Sequence, residues 1–176
     1  MHKLVGFDKK FPELIIESDL QRKNSVIAVQ FSLQNADKII GLQTPSFKYV
    51  HGKDVPRASQ LWTTTCFEFF LSPVGSKSYY EFNFSLLPAW NCFIFDSYRI
   101  PKAPRECFDF PLKEFSWDRK KRELFIEIEN STGQNQFRIG ITAVIESEIG
   151  KDYYALKHCA DKPDFHVLES FILERN

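Results

Sequence analysis

An antiparallel β-sandwich is the fold that this sequence predicts, and three observations predict it. Apolar and polar residues alternate with a period of two through much of the chain, as half-buried strands require. No window carries sustained apolar spacing at 3.6 residues, which leaves helix only as short turns. The alternating segments are short, follow one another without intervening helices and are separated by breaks rich in Pro and Gly, the pattern of an all-β sandwich with long loops.

The first alternating segment, residues 25–33, sets Ile27, Val29, Phe31 and Leu33 on one face. The densest stretch follows at residues 61–99. In residues 66–71 the side chains of Phe67, Phe69 and Leu71 share a face, opposite Cys66, Glu68 and Phe70. In residues 79–86 the apolar set is Tyr80, Phe82, Phe84 and Leu86, with Tyr79, Glu81, Asn83 and Ser85 pointing away. Pro73 and Gly75 between the two segments predict a hairpin, and matching faces favour Phe69 against Phe82, Glu68 against Asn83 and Phe70 against Glu81. A third segment, residues 90–98, is expected to turn Phe93 and Phe95 to the core, so that Trp90, Cys92, Ile94, Asp96 and Tyr98 join Glu68, Glu81 and Asn83 outside. Later strands are expected at residues 124–129, 136–146, 152–157 and 170–173, with Gly140 marking a bulge or a close packing contact.

Long irregular stretches separate these strands. Residues 35–60 carry Gly41, Pro45, Gly52 and Pro56, residues 100–111 carry three prolines, and residues 158–166 run from His158 to His166. Such loops bind ligands or cover sheets.

The 176 residues suit one well-buried domain, read here as residues 1–176, and 18 Phe within a 15% aromatic content supply its core without metal or disulfide. With 23 basic and 23 acidic residues the net charge is zero, which argues against nucleic acid or an anionic membrane as the partner. The basic cluster 119–122 reads as a polar hairpin turn. No apolar run is long enough for a signal peptide or a bilayer span, and four cysteines without close spacing suit a reducing compartment, so a cytoplasmic protein is expected. Cys66 and Cys92 are both placed on the outer face.

Two carboxylates, an amide, a Trp and a Tyr gathered on one sheet face are what a polyhydroxylated ligand needs. Rings offer an apolar platform, and acids and amides bind vicinal hydroxyls. The plain alternative is a solvated face, or one covered by a crossing segment that satisfies the polar groups. Trp90 is the expected platform, while Trp62, just before the strand at 66–71, reads as a core or rim aromatic. Arg99 is placed to pair with Asp96 or to grip an anion. Glu68 and Glu81 have the residue types of a glycosidase acid–base pair but also of structural carboxylates. His158, His166, Asp161 and Asp164 match no zinc spacing and supply too few oxygens for calcium, so a loop pinned by hydrogen bonds is expected and no metal is assigned.

These residues also carry a resemblance. Leu61, Trp62, the run Thr65, Cys66, Phe67, Glu68, the run Tyr80, Glu81, Phe82, Asn83, then Trp90, Phe95, Asp96, Tyr98, Arg99, Ala155, Leu156, His158 and the run Pro163, Asp164, Phe165, His166 resemble the DOMON-like proteins related to type 9 carbohydrate-binding modules. Within that group the pattern is most similar to small bacterial proteins labelled murB-like. Cys159 departs from it, standing where a proline is expected. The resemblance implies an immunoglobulin-like β-sandwich with a ligand site on a concave sheet face or its rim, in a superfamily whose ligands are sugars or haem. A Met and His haem pair cannot be built here, because Met1 is the sole methionine, and no cofactor is expected.

The expected function is thus a non-catalytic module that binds a sugar or sugar derivative through Glu68, Glu81, Asn83, Trp90, Asp96, Tyr98, Arg99 and Trp62. Residues 158–166, with His158, Asp164 and His166, form a candidate lid. The alternatives are a protein-docking module using the same face and, more remotely, a sugar hydrolase or isomerase.

Overall fold

The computed structural model describes residues 1–39, 42 and 48–175. Gly41 and Pro45 of the expected long loop lie outside the described residues. Fourteen strands are described in chain order: β1 (His2–Lys3), β2 (Val5–Gly6), β3 (Ile15–Lys23), β4 (Val26–Gln34), β5 (Tyr49–His51), β6 (Cys66–Pro73) and β7 (Tyr79–Ser85), then β8 (Ala89–Phe95), β9 (Arg105–Glu106), β10 (Leu112–Asp118), β11 (Glu123–Glu129), β12 (Phe137–Ser147), β13 (Gly150–Ala155) and β14 (Leu173–Arg175). Helix among the described residues is confined to three-residue 3-10 turns. One sheet runs β1-β3-β4-β11-β10-β5 and the other β2-β13-β12-β6-β7-β8-β9, with β14 beside β12. All ladders between these strands are antiparallel, so the all-β sandwich read from the sequence is the fold observed.

The inner faces of the two sheets bury a common core. Ile27, Val29, Phe31 and Leu33 of β4 and Leu124, Ile126 and Ile128 of β11 meet Phe67, Phe69, Phe82 and Phe84 from the opposite sheet. Phe69 stacks on Phe82 with ring centroids 4.3 Å apart. The β6–β7 hairpin has the expected register, pairing Phe69 with Phe82, Glu68 with Asn83 and Phe70 with Glu81. Residues 119–122 form the polar turn between β10 and β11.

Other expectations shift. The segment expected at 152–157 is observed as Gly150–Ala155, and the one at 170–173 becomes a 3-10 turn at Leu168–Ser170 followed by β14. Strand β3 is not evident in the sequence because Ser18 breaks its apolar face; Ser18 is buried and its hydroxyl donates to the Gln30 carbonyl at 2.7 Å.

The largest correction concerns β8. Its residues pair Phe84 with Trp90, Phe82 with Cys92 and Glu81 with Phe93, and directly opposed residues share a face. Trp90 and Cys92 therefore join the inter-sheet core, whereas Phe93 and Phe95 lie on the outer face, the reverse of the expected phase. Both sides of this strand are apolar, so hydrophobicity alone does not set its phase. The three-residue connection from Ser85 to Ala89 does. Cys92 consequently does not share a face with Cys66, and all four cysteines are free.

The outer face of β6, β7 and β8 is a second, smaller core rather than open sheet. Phe70, Tyr79, Phe93 and Phe95 are buried there by Phe171, with Trp62, Phe165 and Leu168 packed around them. Gly140 on β12 is a close-packing glycine: a Cβ there would stand 2.6 Å from Cδ1 of Phe171. Residues 163–171 thus cross the sheet and leave one opening beside the glutamates.

Candidate functional site

The opening is a pocket of about 440 Å³, lined at its floor by Glu68, Glu81 and Val144 from three adjacent strands. Strand alternation fixes this floor: Glu68 on β6 faces outward between Phe67 and Phe69, and Glu81 on β7 does so between Tyr80 and Phe82. Trp62, Phe95, Tyr153, Phe165 and His166 form walls, and Arg99 and Lys102 reach the pocket from the stretch after β8.

Both glutamates are buried, Glu68 at 2% and Glu81 at 5% exposure. Glu68 Oε2 accepts a hydrogen bond from Thr142 Oγ1 at 3.1 Å, while Oε1 is buried without any partner. Glu81 Oε1 accepts from the Asn83 amide at 2.8 Å, and its Oε2 lies 3.7 Å from His166 Nε2, beyond hydrogen-bond reach. Burial first, and then the neighbouring Glu81, push the Glu68 carboxyl well above the usual carboxylate range. Burial raises Glu81 to about 7 against the Asn83 hydrogen bond and the charge of Arg99. Two neighbouring buried carboxyl groups resist ionising together.

His166 is held by a chain of hydrogen bonds. The Tyr79 hydroxyl accepts from the Arg99 backbone N–H at 3.1 Å and lies 2.7 Å from His166 Nδ1. A hydroxyl that donates to Nδ1 leaves the ring proton on Nε2, on the Glu81 side, and one that accepts from Nδ1 leaves Nε2 as an acceptor. The imidazole packs edge-on against Phe70 and Phe95, and burial followed by Arg99 pushes its pKa down to about 4, with Asp164 opposing. His166 is neutral at neutral pH, so its contact with Glu81 is not an ion pair.

Asp164 anchors the crossing segment. It accepts from the Tyr98 hydroxyl at 2.5 Å, from Arg99 at 2.9 Å and from the His166 backbone N–H at 3.1 Å. Burial raises its pKa, but those hydrogen bonds outweigh burial and the net shift is downward. Arg99 sits in the left-handed backbone region at φ 52°, which lets its amide reach Tyr79 while its guanidinium reaches Asp164.

The sequence-predicted residues thus divide. Glu68, Glu81, Trp62, Arg99 and His166 line the pocket, and Asn83, Tyr98 and Asp164 support those that do. Trp90 is excluded from the site: it is buried on the core side, stacked with Phe84 at 6.0 Å and covered by Arg57. Asp96 forms an exposed ion pair with Arg105, not with Arg99. His158 is turned away, its Nε2 2.7 Å from the Val5 carbonyl and its ring against Phe7. Sequence reasoning missed Val144 and Thr142, which follow from the pairing of Thr142 with Glu68 across β12 and β6. It also missed Phe95, Tyr153, Phe165 and Lys102 as lining residues. Among the described residues no group of three or more His, Cys, Asp and Glu is arranged to hold a metal ion.

Fold and site define an antiparallel β-sandwich with an aromatic-walled, acid-floored pocket on the outer face of one sheet. A putative carbohydrate-binding protein from Bacteroides uniformis ATCC 8492 has a similar solved structure, with TM-score 0.62 and 13% sequence identity over 97% of this chain and 82% of that chain. At that identity the likeness shows the shared fold. No protein-family model and no curated protein matches the chain. No helix among the described residues is long and apolar enough to cross a membrane.

Proposed function

We propose that this pocket binds a small sugar or sugar derivative and that the domain, residues 1–176, is a non-catalytic ligand-binding module. The observation that carries the reading is Glu68 Oε1, a buried carboxyl oxygen without a partner in a residue that lines the pocket. Leaving such an atom unmade costs about 1–3 kcal/mol, and a ligand hydroxyl would satisfy it. The volume lies within the range of small-molecule sites, and Trp62 and Phe165 supply rings against which a sugar face can pack. The likeness to a protein described as carbohydrate-binding, and the resemblance to DOMON-like proteins and type 9 modules, support the same ligand class. Protein docking on this face is disfavoured, because residues 163–171 already cover it and what they leave open is a cavity.

Isothermal calorimetry against hexoses, pentoses, sugar phosphates and amino sugars tests the reading. A dissociation constant between about 1 μM and 1 mM is expected for one stacked ring and a few hydrogen bonds. Absence of any sugar binding at millimolar concentration overturns it.

A further inference from the structure

The two glutamates leave between them two carboxyl oxygens without a hydrogen bond from the protein: Glu68 Oε1, buried without a partner, and Glu81 Oε2, which lies 3.7 Å from His166 Nε2, beyond hydrogen-bond reach. The remaining oxygens are occupied by Thr142 and Asn83, and the Cys66 thiol lies against Glu68. Among the described residues no Lys or Arg forms an ion pair with either carboxyl, and the one basic ring beside them is that of His166, 3.7 Å from Glu81 Oε2. Arg99 is committed to Asp164, His166 is neutral, and Lys102 stands exposed in solvent at the pocket rim. An acidic pair without a counter-cation, at the floor of a cavity walled by Trp62, Phe95, Tyr153 and Phe165, has the chemistry of an ammonium site. Unused acceptors face the several N–H donors of one ammonium group, and the aromatic faces attract the same charge. An anionic ligand would meet these carboxyls with only Lys102 uncommitted. A neutral hydroxyl satisfies one oxygen but supplies no charge that would let the pair ionise.

We propose that the ligand is an amino sugar whose ammonium nitrogen sits between Glu68 and Glu81, with the sugar ring against the aromatic wall. This rests on the sugar-pocket reading above. Bringing in the cation ionises the pair, so binding releases protons to solvent; a neutral sugar releases none.

The test compares glucosamine, galactosamine and mannosamine with their parent hexoses and N-acetylated forms at pH 7, by calorimetry in two buffers of different ionisation enthalpy, with methylammonium as a sugar-free probe. At least one amino sugar should bind roughly tenfold or more tighter than both its neutral counterparts, the scale of one charge-assisted hydrogen bond, and should release protons. Glu81→Gln should abolish that preference while residual binding of the neutral sugar persists, and Glu68→Gln provides a second variant should the first misfold. If the neutral hexoses bind as tightly as the amino sugars, the ammonium inference is overturned and the sugar reading stands. If methylammonium binds in a Glu81-dependent way and no sugar does, the sugar reading falls and the amino-sugar proposal falls with it. If nothing binds, both are overturned.

Discussion

Gly140 and Phe171 are so close that the ring of the second occupies the space a side chain on the first would need, with a hypothetical Cβ only 2.6 Å from the ring. This contact seats the segment that carries His166 over the sheet that carries Glu68. Gly140→Ala should therefore displace Phe171 and cost about 1–3 kcal/mol, the range for overpacking a close contact. Hydrogen exchange should show the loosening confined to residues 163–173, with the β6–β7 hairpin protected as before. Uniform loss of protection, or none, would contradict it.

Trp62 and Trp90 should separate binding from stability. Trp90 is stacked on Phe84 within the inter-sheet core, so Trp90→Ala should cost roughly 3–5 kcal/mol in urea unfolding. Trp62 is half-buried at the pocket wall, edge-on to Phe93 at 5.7 Å, so Trp62→Ala should cost only about 1 kcal/mol yet remove most ligand affinity. The opposite pattern would restore Trp90 as the platform.

His166 should remain neutral well into the acid range. Its pKa falls from an ordinary value of 6.5 to about 4, so the unfolded chain takes up this proton before the folded one does. The contribution is fully present above pH 6.5 and is lost as pH falls from there toward 4. NMR titration of the imidazole should find its midpoint near 4, and His166→Gln should flatten the acid side of the stability profile.

Glu81 acts with the opposite sign. Its folded pKa of about 7 lies above the ordinary 4.5, so the folded state holds the proton more tightly and stability without ligand declines as pH rises from 4.5 through 7. Glu68, likewise pushed up by burial and by Glu81, contributes to the decline with the same sign. Between 4.5 and 6.5 the His166 trend offsets it, so the decline should be plainest above 6.5. Thermal melts across pH 5 to 9 should show it, and Glu81→Gln should reduce it.

The β6–β7 register was legible in the sequence because apolar faces must match across the hairpin, and the favoured one of the registers that match them sets Phe69 on Phe82 and Glu68 beside Asn83, as observed. The phase of β8 was not legible, since Trp90, Cys92, Phe93 and Phe95 are all compatible with burial and both faces of the strand are in fact covered. Neither was the covering itself. It depends on Phe171 meeting Gly140, a contact between positions that no local pattern links. The walls Tyr153 and Phe165 and the floor residue Val144 followed the same fate, while the two glutamates of the floor, on neighbouring strands of one hairpin, did not.

Because residues 163–171 close over an aromatic sheet that by then lacks only β14, a chain emerging from the ribosome presents Phe70, Tyr79, Phe93 and Phe95 to its surroundings until that segment arrives. The same rings that later wall a binding site are, during biosynthesis, an adhesive surface, and the interval before closure is when a chaperone has most to shield.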